Sequence, residues 1–379
     1  MDINNLKIGI DATFFQPFKQ GINTIKLIEQ SGFNSVFFGD HLMGLFPESL
    51  WTPDIISAAS VIESPHQYYE TFTTMAMAAS NTKKVTIGSG VTEVFRHHPA
   101  VLAQTILTLD HISRGRVILG LGAGEGENII PYGIKMEKPV SRLDEALTII
   151  KLLWENYEKV DFNGKFWTLK DAVLTLKPFK KRKYPPIWVA AHGLQMLELA
   201  GKHADGWYPT KNEMLTPNIY QEKFNVVKNS AKKAGRDPDK IIPAMWSVLI
   251  ADDSPDEVER MSDMTIAKFA GLFLTKEHYE TLGLSYPFGE DYSWLKNFIP
   301  TRYDRKTMLE IITKVPKEAF FAIGIVGTPD DVIDQIEKYA KIGLKHIVFW
   351  NLTYVCDLTK LNSSHSCLIK VLEYFRDQK

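Results

Sequence analysis

Short apolar runs alternate with amphipathic stretches along the first 250 residues. The runs are Lys7–Asp11, Asn34–Phe38, Val85–Gly90, Arg116–Leu121, Pro186–Ala191, Asp205–Tyr208 and Ile241–Ile250, with an eighth, His346–Trp350, after a long gap. They are rich in Val, Ile, Phe and Trp and bounded by Gly, Pro or Asp, as buried parallel strands are. Between them the 3.6-residue period predicts helices over Gly21–Ser31, Ala100–Ile112, Arg142–Glu158, Gln195–Lys202 and Pro217–Ala234. Gly32, Gly115 and Gly343 each stand between an amphipathic stretch and an apolar run, where a left-handed residue ends a helix. Eight strands separated by helices point to an α/β fold, a (β/α)8 TIM barrel, over the doubly wound sheet that such alternation also permits.

Two segments break the repeat. Residues 43–69 carry Pro47, Pro53 and Pro65 with Trp51, and residues 252–322 hold helical pieces around Tyr286-Pro287-Phe288-Gly289. Insertions that follow barrel strands lie over the catalytic face, so both read as substrate-covering lids, with plain surface decoration the alternative. The whole chain, 1–379, reads as one barrel domain with these insertions.

Charge and cysteine content narrow the class. The chain balances 44 Lys and Arg against 45 Asp and Glu, so it lacks the basic excess of a nucleic-acid binder. Two cysteines, Cys356 and Cys367, build neither a disulfide framework nor a zinc site. No signal pattern and no apolar run of about 18 residues occurs, which excludes a membrane span and favours a cytoplasmic enzyme acting on a small molecule.

Candidate chemistry gathers at the ends of the predicted strands. Asp40-His41 follows the second; a histidine there exchanges a proton near neutral pH beside a carboxylate that orients it. Gly88-Ser89-Gly90-Val91-Thr92 ends the third, where backbone must bend or meet a ligand closely. Gly120-Leu121-Gly122-Ala123-Gly124-Glu125-Gly126-Glu127-Asn128 ends the fourth. It is no dinucleotide fingerprint, because its glycines alternate, Glu125 takes the third-glycine place and Pro131 interrupts the helix. A turn presenting Glu125 and Asn128 to a flat ligand fits better, and a carboxyl held there could act as an acid. Ala190-Ala191-His192-Gly193 opens a helix whose free backbone N–H groups suit a phosphate, or it is a tight turn and nothing more. Histidines 97 and 98 point apart and make a poor metal pair; with no other ligand spacing in the chain, no metal is expected. No G-x-S-x-G elbow occurs. Gly327-Thr328-Pro329-Asp330-Asp331 reads as a helix start.

Taken in order, these segments resemble the luciferase-like superfamily of flavin and deazaflavin enzymes. The likeness rests on Gly39-Asp40-His41, Gly88 to Thr92, Phe95-Arg96-His97-His98-Pro99, Gly115 to Gly124, Ile187-Trp188-Val189-Ala190-Ala191 and Gly327 to Val332, and within the superfamily it is strongest to the branch using coenzyme F-420. The resemblance implies an oxidoreductase transferring a hydride between the deazaflavin and a carbonyl, secondary alcohol or related carbon. A methylenetetrahydromethanopterin reductase, an FMN-dependent monooxygenase and a non-catalytic cofactor-binding barrel are the alternatives. It further implies that His41 exchanges a proton with substrate oxygen and that Glu125 meets the reacting edge of the ring. Asp40, Thr92, Ala123, Gly124 and Asn128 would lie near the coenzyme, with a cis peptide at Gly90-Val91 supporting it. His192, Gly193, Gln195 and Met196 would hold its tail, and a homodimer is implied. Leu45 stands where the sugar-phosphate dehydrogenases of this branch have a tryptophan, and Lys211 is a displaced counterpart of their phosphate-binding lysine. With Trp246 and Trp350, these departures point to an apolar or extended substrate.

Overall fold

The computed structural model describes residues 6–12, 16–180 and 183–377. Its strands are β1 (Lys7–Asp11), β2 (Ser35–Phe38), β3 (Thr86–Ser89), β4 (Val117–Leu121), β5 (Val160–Asn163), β6 (Thr168–Ala172), β7 (Ile187–Val189), β8 (Gly206–Trp207), β9 (Ile242–Ala251), β10 (Gly324–Gly327) and β11 (His346–Asn351). Parallel pairing runs β1-β2-β3-β4-β7-β8-β9-β11 and returns from β11 to β1, closing an eight-stranded barrel with helices between strands. The fold is the (β/α)8 barrel. All eight predicted runs are its barrel strands, with ends that differ by no more than two residues.

Two elements escape the apolar-run criterion. β10 continues the sheet beyond the rim, pairing with the last four residues of β9. β5 and β6 form an antiparallel hairpin outside the barrel, and it shortens the helix expected over Arg142–Glu158. That helix spans Pro139–Glu155, because Asn156 turns extended and the chain doubles back. Glu145 pins the hairpin turn by accepting from the backbone of Lys165, Phe166 and Trp167 at 2.7–2.9 Å.

Three apolar clusters share the burial. The largest lies between barrel and helices. A small one, Phe37, Ile118, Trp188, Tyr208, Ala244 and Val348, fills the barrel interior and floors the space above it. The third packs the two insertions on one another, with Phe46 stacked on Trp51 at 5.8 Å and Trp294 on Phe298 at 3.8 Å. β3 and β4 approach so closely that a Cβ on Gly120 would sit 2.0 Å from the Ser89 carbonyl oxygen, which is why that position lacks a side chain. Past β10, Thr328 and Asp331 form a reciprocal capping box on the helix Pro329–Ala340, the structural role that its sequence predicts.

Candidate active site

The C-terminal ends of the barrel strands open into a cavity of about 830 Å³. Asp40, His41, Gly90, Val91, Thr92, Ala123, Gly124, Glu125, Asn128, His192, Gly193 and Met196 all line it. Gln195 does not: it is exposed on the first turn of the helix Leu194–His203 and is not part of the lining. Leu45 and Tyr68 reach the wall from the first insertion, and Phe273, Tyr286, Tyr292 and Trp294 from the second, so both insertions cover the catalytic face.

Asp40 is the electrostatic hub. Its Oδ2 accepts from Thr92 Oγ1 at 2.6 Å and His97 Nε2 at 2.9 Å and lies 3.1 Å from Arg96 Nη2, which also donates to the Asp40 carbonyl at 2.8 Å. Burial alone would raise this carboxyl. The His97 hydrogen bond and the Arg96 charge outweigh it and hold the group at about 2, ionised at any working pH. Arg96 is fixed in turn by Glu93 at 2.6 Å. Sequence reasoning missed Glu93, Arg96 and His97 as parts of the site. It read correctly that the two histidines diverge: His97 faces Asp40 while His98 caps the helix Pro99–Ile112.

The hydrogen-bond polarity around His41 follows from Asn128. The backbone N–H groups of Leu42 (2.7 Å) and Met43 (3.1 Å) both donate to Asn128 Oδ1, which assigns the amide orientation. Nδ2 therefore donates, one hydrogen to His41 Nδ1 at 2.8 Å and one to Glu127 Oε1 at 3.1 Å. With Nδ1 an acceptor, the neutral imidazole carries its hydrogen on Nε2.

Glu127, missed by sequence reasoning because it reads as one more residue of a glycine-rich turn, is buried beside this ring. Burial, then the neighbouring Glu125 charge and a hydrogen bond shared with the Glu125 carboxyl, push it well above the ordinary range, so the pair holds one proton near neutral pH. Donor atoms of His41, Glu125 and Glu127 lie within 4.8 Å of one another, a spacing that proton sharing accounts for.

The same cavity is also lined by small residues. Gly90, Gly122, Ala123, Gly124 and Ala190 present backbone to the cavity, and the Gly90–Val91 peptide is cis. A Cβ on Gly122 would meet Val91 Cγ2 at 2.8 Å. Nothing lies within 4 Å of a Cβ built on Gly193, so the start of the helix Leu194–His203 is open, with no side chain capping it.

A family model described as luciferase-like monooxygenase matches residues 6–346. The chain belongs to the luciferase-like family. Within this family it is 36% identical over 324 residues to a phthiodiolone/phenolphthiodiolone dimycocerosates ketoreductase of Mycobacterium kansasii, covering 85% of this chain and 88% of that protein. It is 30% identical over 332 residues to an F420-dependent glucose-6-phosphate dehydrogenase of Microbacterium testaceum, covering 85% and 84%. Among solved structures, an F420-dependent secondary alcohol dehydrogenase in complex with an F420–acetone adduct superposes with a TM-score of 0.72 at 23% identity over 97% of this chain and 99% of that one. A coenzyme F420-dependent tetrahydromethanopterin reductase from Methanopyrus kandleri gives 0.69 at 21%, over 96% and 99%. These two likenesses are of fold. The departures noted in the luciferase-like sequence also have a place: Lys211 is buried, donates to the Ala322 carbonyl at 2.8 Å, is lowered to about 8 by burial, and does not line the cavity.

Proposed function

We propose that the protein is an F420-dependent oxidoreductase that reduces the carbonyl of an apolar substrate. The observation that carries this reading is that one cavity holds both an imidazole whose Nδ1 accepts from Asn128 and a strip of glycine and alanine suited to a flat ring.

The residues present fit a deazaflavin. The strip of Gly90, Gly122, Ala123 and Gly124 would take a planar face, because these lining residues carry no side chain larger than a methyl. The uncapped helix start at Gly193, with Lys223 on the same cavity wall, suits the phosphate of a coenzyme tail. When bound, the deazaflavin supplies a hydride from its carbon 5. His41 donates its Nε2 hydrogen to the carbonyl oxygen, stabilising the charge that grows there as a neutral imidazole can. Asn128 fixes which nitrogen donates. Glu125 and Glu127 keep one proton between them beside the ring, and ionised Asp40 anchors the loop that carries His41. The two insertions exclude water.

Substrate character follows from the remaining wall. Trp246 and Trp350 stack at 5.9 Å, and Phe273 and Trp294 add further aromatic surface. With Lys211 engaged elsewhere, a sugar phosphate lacks its anchor, and the ketoreductase relatives support an apolar ketone. The test is His41→Ala. Deazaflavin affinity should be retained while ketone turnover falls roughly 10²–10⁴-fold, the usual contribution of a positioned acid. Unchanged turnover would remove His41 from the mechanism.

A further inference from the structure

The cavity mouth has two halves. The ends of β2, β3, β4 and β7 provide the groups described above. The ends of β1, β8, β9 and β11 form the other half and hold Asp11, Tyr208, Trp246 and Trp350.

Two polar groups in this second half are incompletely matched, a buried one and a partly buried one. The Tyr208 hydroxyl is buried without any hydrogen-bond partner, on a side chain only 2% exposed and clamped between Phe37 at 5.1 Å and Trp188 at 5.5 Å. Asp11 accepts a single hydrogen bond, from Trp246 Nε1 to Oδ2 at 2.7 Å, and no donor among the described residues reaches its other oxygen. Burial raises the Asp11 carboxyl to about 7, so it is mostly ionised at pH 8. Burying an unmatched hydroxyl is unfavourable, and a fold that keeps one facing a ligand cavity beside a half-used carboxyl has left both for the ligand.

We infer that Asp11 and Tyr208 form a recognition point for a hydroxyl group of the substrate, separate from the carbonyl that His41 engages. The chemistry is complementary: Asp11 accepts the hydroxyl hydrogen and the Tyr208 phenol donates to the hydroxyl oxygen. The substrate class is then an apolar ketone with a hydroxyl near the reacting carbon, its hydrocarbon part against Trp246 and Trp350. This rests on the carbonyl-reductase reading above, and the experiment separates the two.

Binding of octan-2-one and 3-hydroxyoctan-2-one is measured by calorimetry at pH 8 on the wild type, Asp11→Ala and Tyr208→Phe, each with and without F420. The wild type should bind the hydroxy ketone at least ten-fold more tightly. Tyr208→Phe, which keeps the ring packing, should cut that preference about 5–10-fold, and Asp11→Ala about 10–100-fold, as loss of a neutral and a charge-assisted hydrogen bond do. F420 affinity should stay within two-fold in both variants, since neither residue lies in the half assigned to the coenzyme. A wild type that does not distinguish the two ketones, or a preference that survives both substitutions, overturns the inference. Failure of F420 to bind the wild type while the preference holds in coenzyme-free protein would sink the coenzyme reading and leave the recognition point standing.

Discussion

Replacing Asn128 with Asp exchanges one NH2 for an oxygen and inverts the hydrogen-bond polarity at His41. The Oδ1 bonds from Leu42 and Met43 survive, since either residue accepts there. The 2.8 Å contact to Nδ1 does not survive as it stands, because two acceptors would face each other. The imidazole relieves the clash by moving its hydrogen to Nδ1 or by taking a second proton. Consequences for turnover are sharp. In the native protein Nε2 keeps its hydrogen in both the neutral and the cationic ring, so ketone reduction should persist into the alkaline range. In Asn128→Asp the neutral ring has a bare Nε2 and cannot donate. Reduction in the variant should therefore be lower at high pH than in the native protein, by up to roughly 10²–10⁴-fold, while oxidation of the matching alcohol gains a base. The assay is kcat/KM against pH in both directions, with nitrogen-15 shifts of His41 reporting the tautomer. Identical profiles for the two proteins, or a native ring found with its hydrogen on Nδ1, would refute the reasoning.

Two further outcomes follow from the same contacts. Asp40→Ala leaves Arg96 paired with Glu93 alone and removes the carboxylate that His97 faces; loss of these charge-assisted contacts costs about 1.5–3 kcal/mol, readable as a lower urea midpoint at unchanged slope. His346 is buried in the barrel, 2.7 Å from Ser35 Oγ, and burial depresses it to about 3. Its unfolded form titrates near 6.5, so the stability it lends is full above that pH and is lost as pH falls toward 3, reaching about 2–3 kcal/mol by pH 4.5. His346→Gln should flatten this acid limb; urea melts at pH 7 and pH 4.5 decide it, an equal loss in both proteins counting against the assignment.

The barrel was legible because its strands are buried on both faces and so appear as unbroken apolar runs. β5 and β6 were not, since an outlying hairpin alternates polar and apolar residues, as in Val160-Asp161-Phe162, and leaves no such run. β10 is only four residues bracketed by glycines, and its sheet identity comes from β9 extending far enough to pair with it. At the site, strand-end position and motif order brought Asp40, His41, Glu125 and Asn128 to attention. They could not reveal Arg96 and His97, whose partner is more than fifty residues away. Nor could they reveal Glu127, distinguished from Glu125 only by which one the turn buries. Asp11 sits at the end of the first strand and carried the same positional signal as Asp40, without a neighbouring histidine to mark it. Gln195 lay in the right segment but one residue from the face that meets the cavity.

The slot lined by the small-residue strip and His41 is the claim on which the rest depends, and anaerobic titration of the coenzyme-free protein with F420 and, separately, FMN tests it most directly. Quenching of Trp188, Trp246 and Trp350 fluorescence should saturate with F420 and respond weakly to FMN. Saturation with FMN and indifference to F420 would contradict the account.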